Sequence, residues 1–246
     1  MGNREESESN VQPAPGLFTE TRWSKVVLAS QGHSAPSRQA LEELCQRYWH
    51  SIFGFLRRDG CSPEDAEDLT QQFFMKFLSK NALGVADPSK GRFRNFLLRS
   101  LKNFRIDEAR KSNTRKREGG KTIIATNLGE GEQHYEQHPD PNLTPEKLYD
   151  CQWMITLLDQ ALVRLRDEFE KADQVAKFEK LKIFLSQEPE PGCYEELARE
   201  LDMTKGAIAK SVFRMRQRYA QLIRLEIRET VTSPEEVESE LRELFG

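Results

Sequence analysis

Apolar residues recur three or four positions apart along most of the chain, which is the spacing of one face of an α-helix. This pattern predicts a helical opening at 21–30 and helices over 37–58, 62–79 and 91–111. It resumes at Leu148 and runs to about Glu226. No stretch alternates apolar and polar residues over a length that would predict a strand. The sequence therefore predicts an all-α fold.

One of these helices, and a further helix near residue 234, begin with residues that cap a helix. Ser62 is followed by Pro63 and then by two carboxylates, and Ser233 is followed by Pro234, with Glu236 at the third helical position. A serine hydroxyl satisfies a free backbone N–H at the helix start, and proline is tolerated at the first helical position. We therefore expect one helix to begin at residue 63 and a last helix to begin at residue 234.

Stretches without helical periodicity divide the chain. Residues 1–18 are mostly polar and predict a disordered tail. Residues 112–146 contain a Gly-Gly pair and the run GEGEQHYEQHPDPN, which predict a flexible linker. The predicted organisation is two small helical domains joined by that linker, with these bounds: a tail at 1–18, a first domain at 19–111, the linker at 112–146, a second domain at 147–227 and a C-terminal extension at 228–246.

Positive charge is concentrated in one segment of an otherwise acidic chain. Residues 91–117 carry ten basic and two acidic residues, a net charge of +8, whereas the whole chain has a net charge of −3. The aromatic and leucine side chains of this helix fall on one face, which we interpret as core rather than as a surface for base stacking. Basic and amide side chains collect on another face: Arg92, Asn95, Arg99, Lys102, Asn103 and Arg110. Charge runs are usually solvated, but this face has few acidic partners one turn away, and it suits phosphate neutralisation and base-edge hydrogen bonding.

The helix at 62–79 has the opposite character. Its predicted buried stripe is Ala66, Leu69, Phe73 and Phe77, and its outward face holds Asp65, Asp68, Gln72 and Lys76. Clustered carboxylates could bind a metal ion or perform acid/base chemistry. No histidine is near in sequence, however, and acidic residues at a helix start are explained by the helix dipole. A surface that docks a basic protein partner is the favoured interpretation, and a metal-dependent nuclease using Asp65 and Asp68 is the weaker one.

The run YEELARELDMTKGAIAKSVFRMRQRYAQLI, residues 194–223, is the most specific local signal. Its apolar positions predict two helices separated by a short turn at Asp202-Met203, with Thr204 as the cap of the second helix. This is the pattern of a helix-turn-helix, whose second helix enters the major groove of DNA. Asp202 stands at a turn position usually taken by glycine, and an ordinary helical hairpin is the alternative interpretation.

Composition indicates the cellular compartment and limits the kinds of site that the chain can hold. No run approaches the ~18 apolar residues that a membrane span needs, and the first residues lack the apolar stretch of a signal peptide. The four cysteines lie far apart without a C-x-x-C pair, which favours free thiols over disulfides or zinc. We therefore expect a cytoplasmic protein without a membrane anchor, a bound metal or a cofactor.

With both halves described, the chain resembles a bacterial RNA polymerase sigma factor of the sigma-70 family, in its small extracytoplasmic-function branch, with an added C-terminal extension. The run SPEDAEDLTQQFFMKFL is similar to the family's polymerase-docking helix, and GRFRNFLLRSLKNFRIDEARK is similar to its promoter-melting and minus-ten-reading helix. Residues 148–226 are similar to its fourth region, which ends in the minus-thirty-five reader. Two such motifs in the right order are more specific than either alone.

The resemblance implies roles for particular residues. Polymerase docking falls to Asp65, Asp68, Gln71 and Gln72. Minus-ten reading and melting fall to Arg92, Asn95, Arg99, Lys102, Asn103 and Arg110. Minus-thirty-five reading falls to Lys205, Lys210, Ser211, Arg214 and Arg218. The implied partners are core RNA polymerase and promoter DNA, with an anti-sigma factor as a further partner by analogy, and the chain itself would not be an enzyme.

One alternative function uses only the second half of the chain. A free-standing transcriptional regulator would bind DNA through the helix-turn-helix without any polymerase contact. It leaves the acidic helix at 62–79 without a role, and co-purification with core polymerase separates the two hypotheses.

Overall fold

The computed structural model describes residues 35–79, 92–115, 142–231 and 233–246, together with Glu132, Tyr135 and Asp140. Within them the α-helices are α1 (Ala35–Arg58), α2 (Pro63–Ser79), α3 (Phe93–Arg115), α4 (Pro145–Lys171), α5 (Val175–Leu181), α6 (Cys193–Glu200), α7 (Lys205–Arg228) and α8 (Pro234–Phe245), with a 3-10 helix at Lys182–Leu185 after α5. These residues contain no strand, so the all-α prediction is confirmed. The predicted tail at 1–18 and the helical opening at 21–30 lie outside the described residues.

The capping residues define helix starts as the sequence predicts. The Asp65 backbone N–H donates to Ser62 Oγ at 3.1 Å, and α2 begins at Pro63. At α8, Ser233 and Glu236 form a capping box, with Pro234 in the first turn. The end of α3 differs from the prediction, since this helix continues past residue 111 to Arg115 and so enters the predicted linker.

The first hydrophobic core joins α1, α2 and α3 through aromatic side chains. The rings of Phe73 and Phe104 have centroids 5.5 Å apart, and those of Tyr48 and Phe93 are 5.3 Å apart. Phe93 and Phe104 are buried, and Phe96 packs partly buried against the same core. The prediction that the aromatic face of α3 is core is therefore confirmed.

Helices from the second predicted domain complete this first core. Trp153 of α4 stacks on Tyr48 of α1 with ring centroids 4.0 Å apart and planes 10° apart. Leu157 and Ile227 belong to the same cluster of buried residues. The sequence assigned all three to the second domain, so the division between the cores does not coincide with the predicted linker. The reason is length: α4 has 27 residues, and a helix of that size is ~40 Å long, enough to serve two cores.

The second core lies among α4, α5, the 3-10 helix, α6 and α7. Its buried members are Ala161, Leu165, Phe178, Leu181, Phe184, Ile208, Val212, Met215 and Leu222. Side chains of α6, including Tyr194 and Leu197, pack partly buried against it. The apolar positions that predicted the two helices at 194–223 therefore do face a common core.

Three described residues of the predicted linker contact the first core or α1. Glu132 accepts two hydrogen bonds from Arg57, at 2.7 and 2.6 Å. The Tyr135 ring packs against the core with the Arg57 guanidinium 5.0 Å from its centroid. The Asp140 carbonyl accepts from Arg58 at 2.9 Å. In these positions the segment is anchored to α1, which its Gly-rich and acidic composition did not predict.

Candidate nucleic-acid and partner interfaces

Three of the six polar residues on the predicted DNA face of α3 are available to a ligand. Asn95, Arg99 and Asn103 are exposed. Among the described residues, none of these three side chains has a hydrogen-bond or ion-pair partner. Arg110 is also exposed, near the end of α3. Phe93 and Phe104 are buried beneath this surface, so its chemistry comes from amides and guanidinium groups.

The other two basic residues of this face are held by carboxylates. Arg92 forms ion pairs with Glu240 and Glu243 of α8 and donates to Ser239 Oγ at 2.6 Å. Lys102 pairs with Glu146 of α4 at 2.7 Å, and its hydrogen bond lowers the pKa of that carboxyl group. A nucleic acid that bound Arg92 or Lys102 would have to displace these acidic partners.

Arg94, which the sequence did not single out, is the centre of a buried charge cluster. Its side chain is 2% exposed and pairs with Glu240 at 2.8 Å, with Glu243 at 2.6 Å and with Asp150. Burial alone would lower the pKa of Arg94, but hydrogen bonding and charge from Glu240 overcome burial and raise it. Burial raises the pKa of Asp150, against the opposing effect of Arg94.

A signal for the burial of Arg94 was present in the sequence. At 100° per residue, Arg94 lies only ~20° around the helix from Leu101, at the edge of the apolar stripe. The partners could not be found in the same way, because Asp150 and Glu240 lie 56 and 146 residues away. The Tyr149 hydroxyl also donates to the Arg94 carbonyl at 3.2 Å, which fixes α3 against α4.

The outward face of α2 combines acidic, amide and apolar groups. Asp65, Asp68 and Gln72 are exposed, and Gln72 Nε2 donates to Asp68 Oδ2 at 2.8 Å. Gln71 is half-buried, and Met75 on the next turn is 66% exposed. In the described part of the chain, no group of three or more His, Cys, Asp or Glu residues could hold a metal ion. The face therefore presents carboxylate and amide groups around one exposed apolar side chain.

Lys76 does not belong to that outward face, contrary to the prediction. Its ammonium group lies 5.0 Å from the Phe104 ring centroid and 3.8 Å from carboxylates of Asp107 and Glu108. These contacts join α2 to α3. The cause is that α3 packs beside α2, and the carboxylates of Asp107 and Glu108 in its C-terminal half attract the lysine.

The turn predicted between the two helices of the 194–223 run is present. Asp202 adopts a positive φ of 50°, the conformation for which glycine is the usual choice. The Met203 backbone N–H donates to the Ala198 carbonyl at 2.9 Å, and Thr204 Oγ accepts from the Ala207 N–H at 3.2 Å. Thr204 thus caps α7 as predicted, and α6 and α7 meet over the second core.

Basic side chains on α7 fall into two groups. Lys205 pairs with Glu195, and Arg218 makes hydrogen bonds of 2.8 and 2.5 Å to Glu168. By contrast, Lys210 and Arg214 are exposed, and neither has an ion-pair partner within the residues that the structure describes. The hydrogen bond from Arg218 lowers the pKa of Glu168.

Two further polar side chains of α7 are used within the protein. Ser211, a predicted DNA-binding residue, is half-buried and donates to the Ala207 carbonyl at 2.8 Å. Arg216 donates to the carbonyls of Phe184 and Gln187, at 2.6 and 2.8 Å, and so ties α7 to the 3-10 helix and the loop after it. Lys210 and Arg214 are therefore the predicted base-reading residues that the fold leaves available.

A comparison with known protein families gives a match for the part of the chain that contains α2 and α3. Residues 37–115 match the family model Sigma-70 region 2, about a third of the chain. The matched segment contains the outward face of α2 and the basic face of α3. No curated protein and no solved structure matches the chain. None of the helices described here is long and apolar enough to cross a membrane.

Proposed function

We propose that this chain is a sigma-70 family sigma factor, which binds core RNA polymerase and directs it to promoters. The observation that carries the proposal is the match of residues 37–115 to Sigma-70 region 2, the part of such factors that binds the polymerase and melts promoter DNA. The match supports the family as a whole. The assignment to the extracytoplasmic-function branch with a C-terminal extension is our finer proposal, and it rests on the helix-turn-helix and on α8.

The proposed docking surface is the outward face of α2. Asp65, Asp68 and Gln72 point to solvent around the exposed Met75. An apolar side chain among acidic and amide groups fits a protein partner with a basic rim, since such interfaces pair a buried apolar centre with polar contacts around it. Charge complementarity would also speed the encounter with the polymerase.

The proposed site for the melted minus-ten element is the face of α3 that carries Asn95, Arg99 and Asn103. The amide groups can hydrogen-bond to edges of unstacked bases, and a guanidinium plane can stack on a base or pair with phosphate. Because the aromatic side chains are core, they hold the helix in place and do not themselves receive bases. Lys102 would contact DNA only after its release from Glu146, and Arg92 only after its release from the carboxylates of α8.

The proposed minus-thirty-five reader is α7, with Lys210 and Arg214 toward base edges. We expect Lys210→Ala and Arg214→Ala to cost ~1–3 kcal/mol each on the cognate element and less on scrambled DNA. Arg218 is held by Glu168. If it contacts phosphate, Arg218→Ala should weaken all sequences alike and lower the salt slope by about one.

A free-standing DNA-binding regulator is the second candidate, and the helix-turn-helix geometry is the observation that favours it. It leaves the exposed face of α2 without a partner. It also predicts sequence-specific DNA binding by the chain in the absence of polymerase, whereas the sigma factor proposal predicts promoter specificity only in the presence of core enzyme.

Binding to core polymerase tests the proposal. The double variant Asp65→Lys, Asp68→Lys should lose binding in a pull-down while its far-UV circular dichroism stays unchanged, because both side chains are exposed. The matched control is Asp167→Lys, Glu170→Lys, which reverses the same number of exposed charges three residues apart on α4. Retained binding by the first variant would refute the docking surface, and absence of binding by the unaltered chain would refute the sigma factor itself.

A further inference from the structure

A large aromatic side chain stands exposed on the outer face of α7. Phe213 is 60% exposed, although it lies in the middle of a long helix. At 100° per residue it shares a face with Lys210 and Gln217, on the side away from the buried Ile208 and Met215. Leaving a phenyl ring in water is unfavourable, so a covering partner would gain apolar burial.

The charges around Phe213 match a polyanion. Between Lys205 and Arg218 lie five basic residues, and three of them are engaged within the protein: Lys205 with Glu195, Arg216 with Glu188 and the carbonyls of Phe184 and Gln187, and Arg218 with Glu168. The other two are Lys210, one turn before Phe213, and Arg214, directly after it. Among the described residues of this segment, Lys210 and Arg214 are thus the two basic residues that have no acidic partner, and they stand on either side of Phe213 in the sequence.

The start of this face is also open. Gly206 shares it, and among the residues that the structure describes a Cβ atom placed there would meet nothing within 4 Å. A helix face with a glycine at its start and a single large ring further along can approach another surface closely at its first turn. In a helix-turn-helix, residues in the N-terminal part of the second helix contact base edges in the major groove.

We infer that Phe213 is a specificity-determining residue that packs against the 5-methyl group of thymine in the upstream promoter element. This inference rests on the proposed role of α7 as a DNA reader. Thymine is the base that presents a methyl group in the major groove, and an apolar side chain recognises it by contact alone. Lys210 and Arg214 supply the flanking hydrogen bonds and phosphate contacts that orient the ring. A phenyl ring cannot hydrogen-bond to a base edge, so it discriminates by burial of the methyl group.

A cycle that removes the ring and the methyl group separately tests this contact. The full chain is combined with core polymerase, and upstream elements are selected from a random DNA pool. Each thymine of the selected element is then replaced by deoxyuridine, which lacks only the methyl group. At one or two positions we expect the unaltered chain to lose about fourfold in promoter binding, the factor that corresponds to burying one methyl-sized group.

The Phe213→Ala variant should bind the thymine and deoxyuridine elements equally at those positions, because the partner of the methyl group is gone. Phe245→Ala, which removes another exposed ring at the end of α8, is the matched control and should keep the methyl sensitivity. Unchanged circular dichroism excludes unfolding as the cause of any loss.

Two results would overturn the inference. One is methyl sensitivity in the Phe213→Ala variant equal to that of the unaltered chain. The other is an unaltered chain that binds its elements equally well with thymine and with deoxyuridine at every position, which would mean that no methyl group is contacted. Failure of the proposed function is distinguishable, since the chain would then add no promoter specificity to core polymerase. In that case the same cycle is run on DNA selected by the full chain alone, where lack of methyl sensitivity overturns the inference too.

Discussion

Replacing Glu240 by glutamine removes one charge from the buried cluster that fixes α8 to the first core. The Glu240 side chain is 1% exposed and accepts from Arg94 Nε at 2.8 Å, and it also pairs with Arg92. The substitution keeps the shape of the side chain but leaves Arg94 with two of its three carboxylate partners. The change in the free energy of unfolding therefore measures how much the charge of Glu240 contributes to holding α8 against Arg94.

The expected magnitude follows from burial. Removing one partner of a buried ion pair costs ~3–5 kcal/mol when the other charge is left uncompensated. Because Arg94 keeps Asp150 and Glu243, we expect Glu240→Gln to lower the free energy of unfolding by the smaller amount of about 2–3 kcal/mol. Glu238→Gln on the same helix is the matched control. Its pair with Arg224 spans 2.9 Å, with the two side chains 59% and 49% exposed, so we expect a cost below about 0.5 kcal/mol.

Urea unfolding followed by far-UV circular dichroism measures both variants. A shift of the midpoint with an unchanged slope would report a loss of stability rather than a change in the surface exposed on unfolding. If Glu240→Gln costs no more than Glu238→Gln, then α8 is not docked on Arg94 in solution.

Three further results are expected. Gly54→Leu should lower the free energy of unfolding by about 1–3 kcal/mol in the same urea assay. The reason is that a Cβ atom at Gly54 would already lie 3.3 Å from Cγ of Gln152. An unchanged midpoint would contradict the close packing of α1 on α4. Arg218→Ala should raise the pKa of Glu168 toward its ordinary value in an NMR titration. In the intact pair the hydrogen bond from Arg218 lowers that pKa, so the stabilisation from the pair is lost as the pH falls through it. A pKa that does not move would show that the pair does not form. A protease site inserted at 116–131 should yield fragments that co-elute after cleavage, because the first core contains residues from both sides of the cut; separate elution would favour independent domains.

Periodicity and capping were enough to predict α1, α2, α3 and α8 because both are local properties, but the continuous pattern after Leu148 did not predict where α4 and α5 end. The apolar stripe of α2 and the aromatic face of α3 depend only on spacing within one helix, and Ser62 and Ser233 act within one turn. The packing between helices is not local. The stripes of α4 and α7 predict that each has a buried face, but not that Trp153 would stack on Tyr48, about a hundred residues away in sequence.

The charged residues of the candidate sites also depend on packing that the sequence does not show. The sequence gives the number of basic residues on a helix but not which of them find acidic partners. Lys205 and Lys210 were both candidates for DNA contact, and Glu195 from the preceding helix engages only Lys205. Arg92 was likewise a candidate on α3, and it is held by α8, a helix that lay outside the family resemblance.

Run-off transcription with purified core polymerase measures whether the chain directs the enzyme to promoters. A pool of genomic fragments is transcribed with core polymerase alone, with the full chain added, and with the Asp65→Lys, Asp68→Lys variant added. We expect discrete start sites that share two upstream elements and that appear only with the unaltered chain. The same transcripts with and without the chain would contradict the sigma factor function, and start sites that persist with the variant would contradict docking through α2.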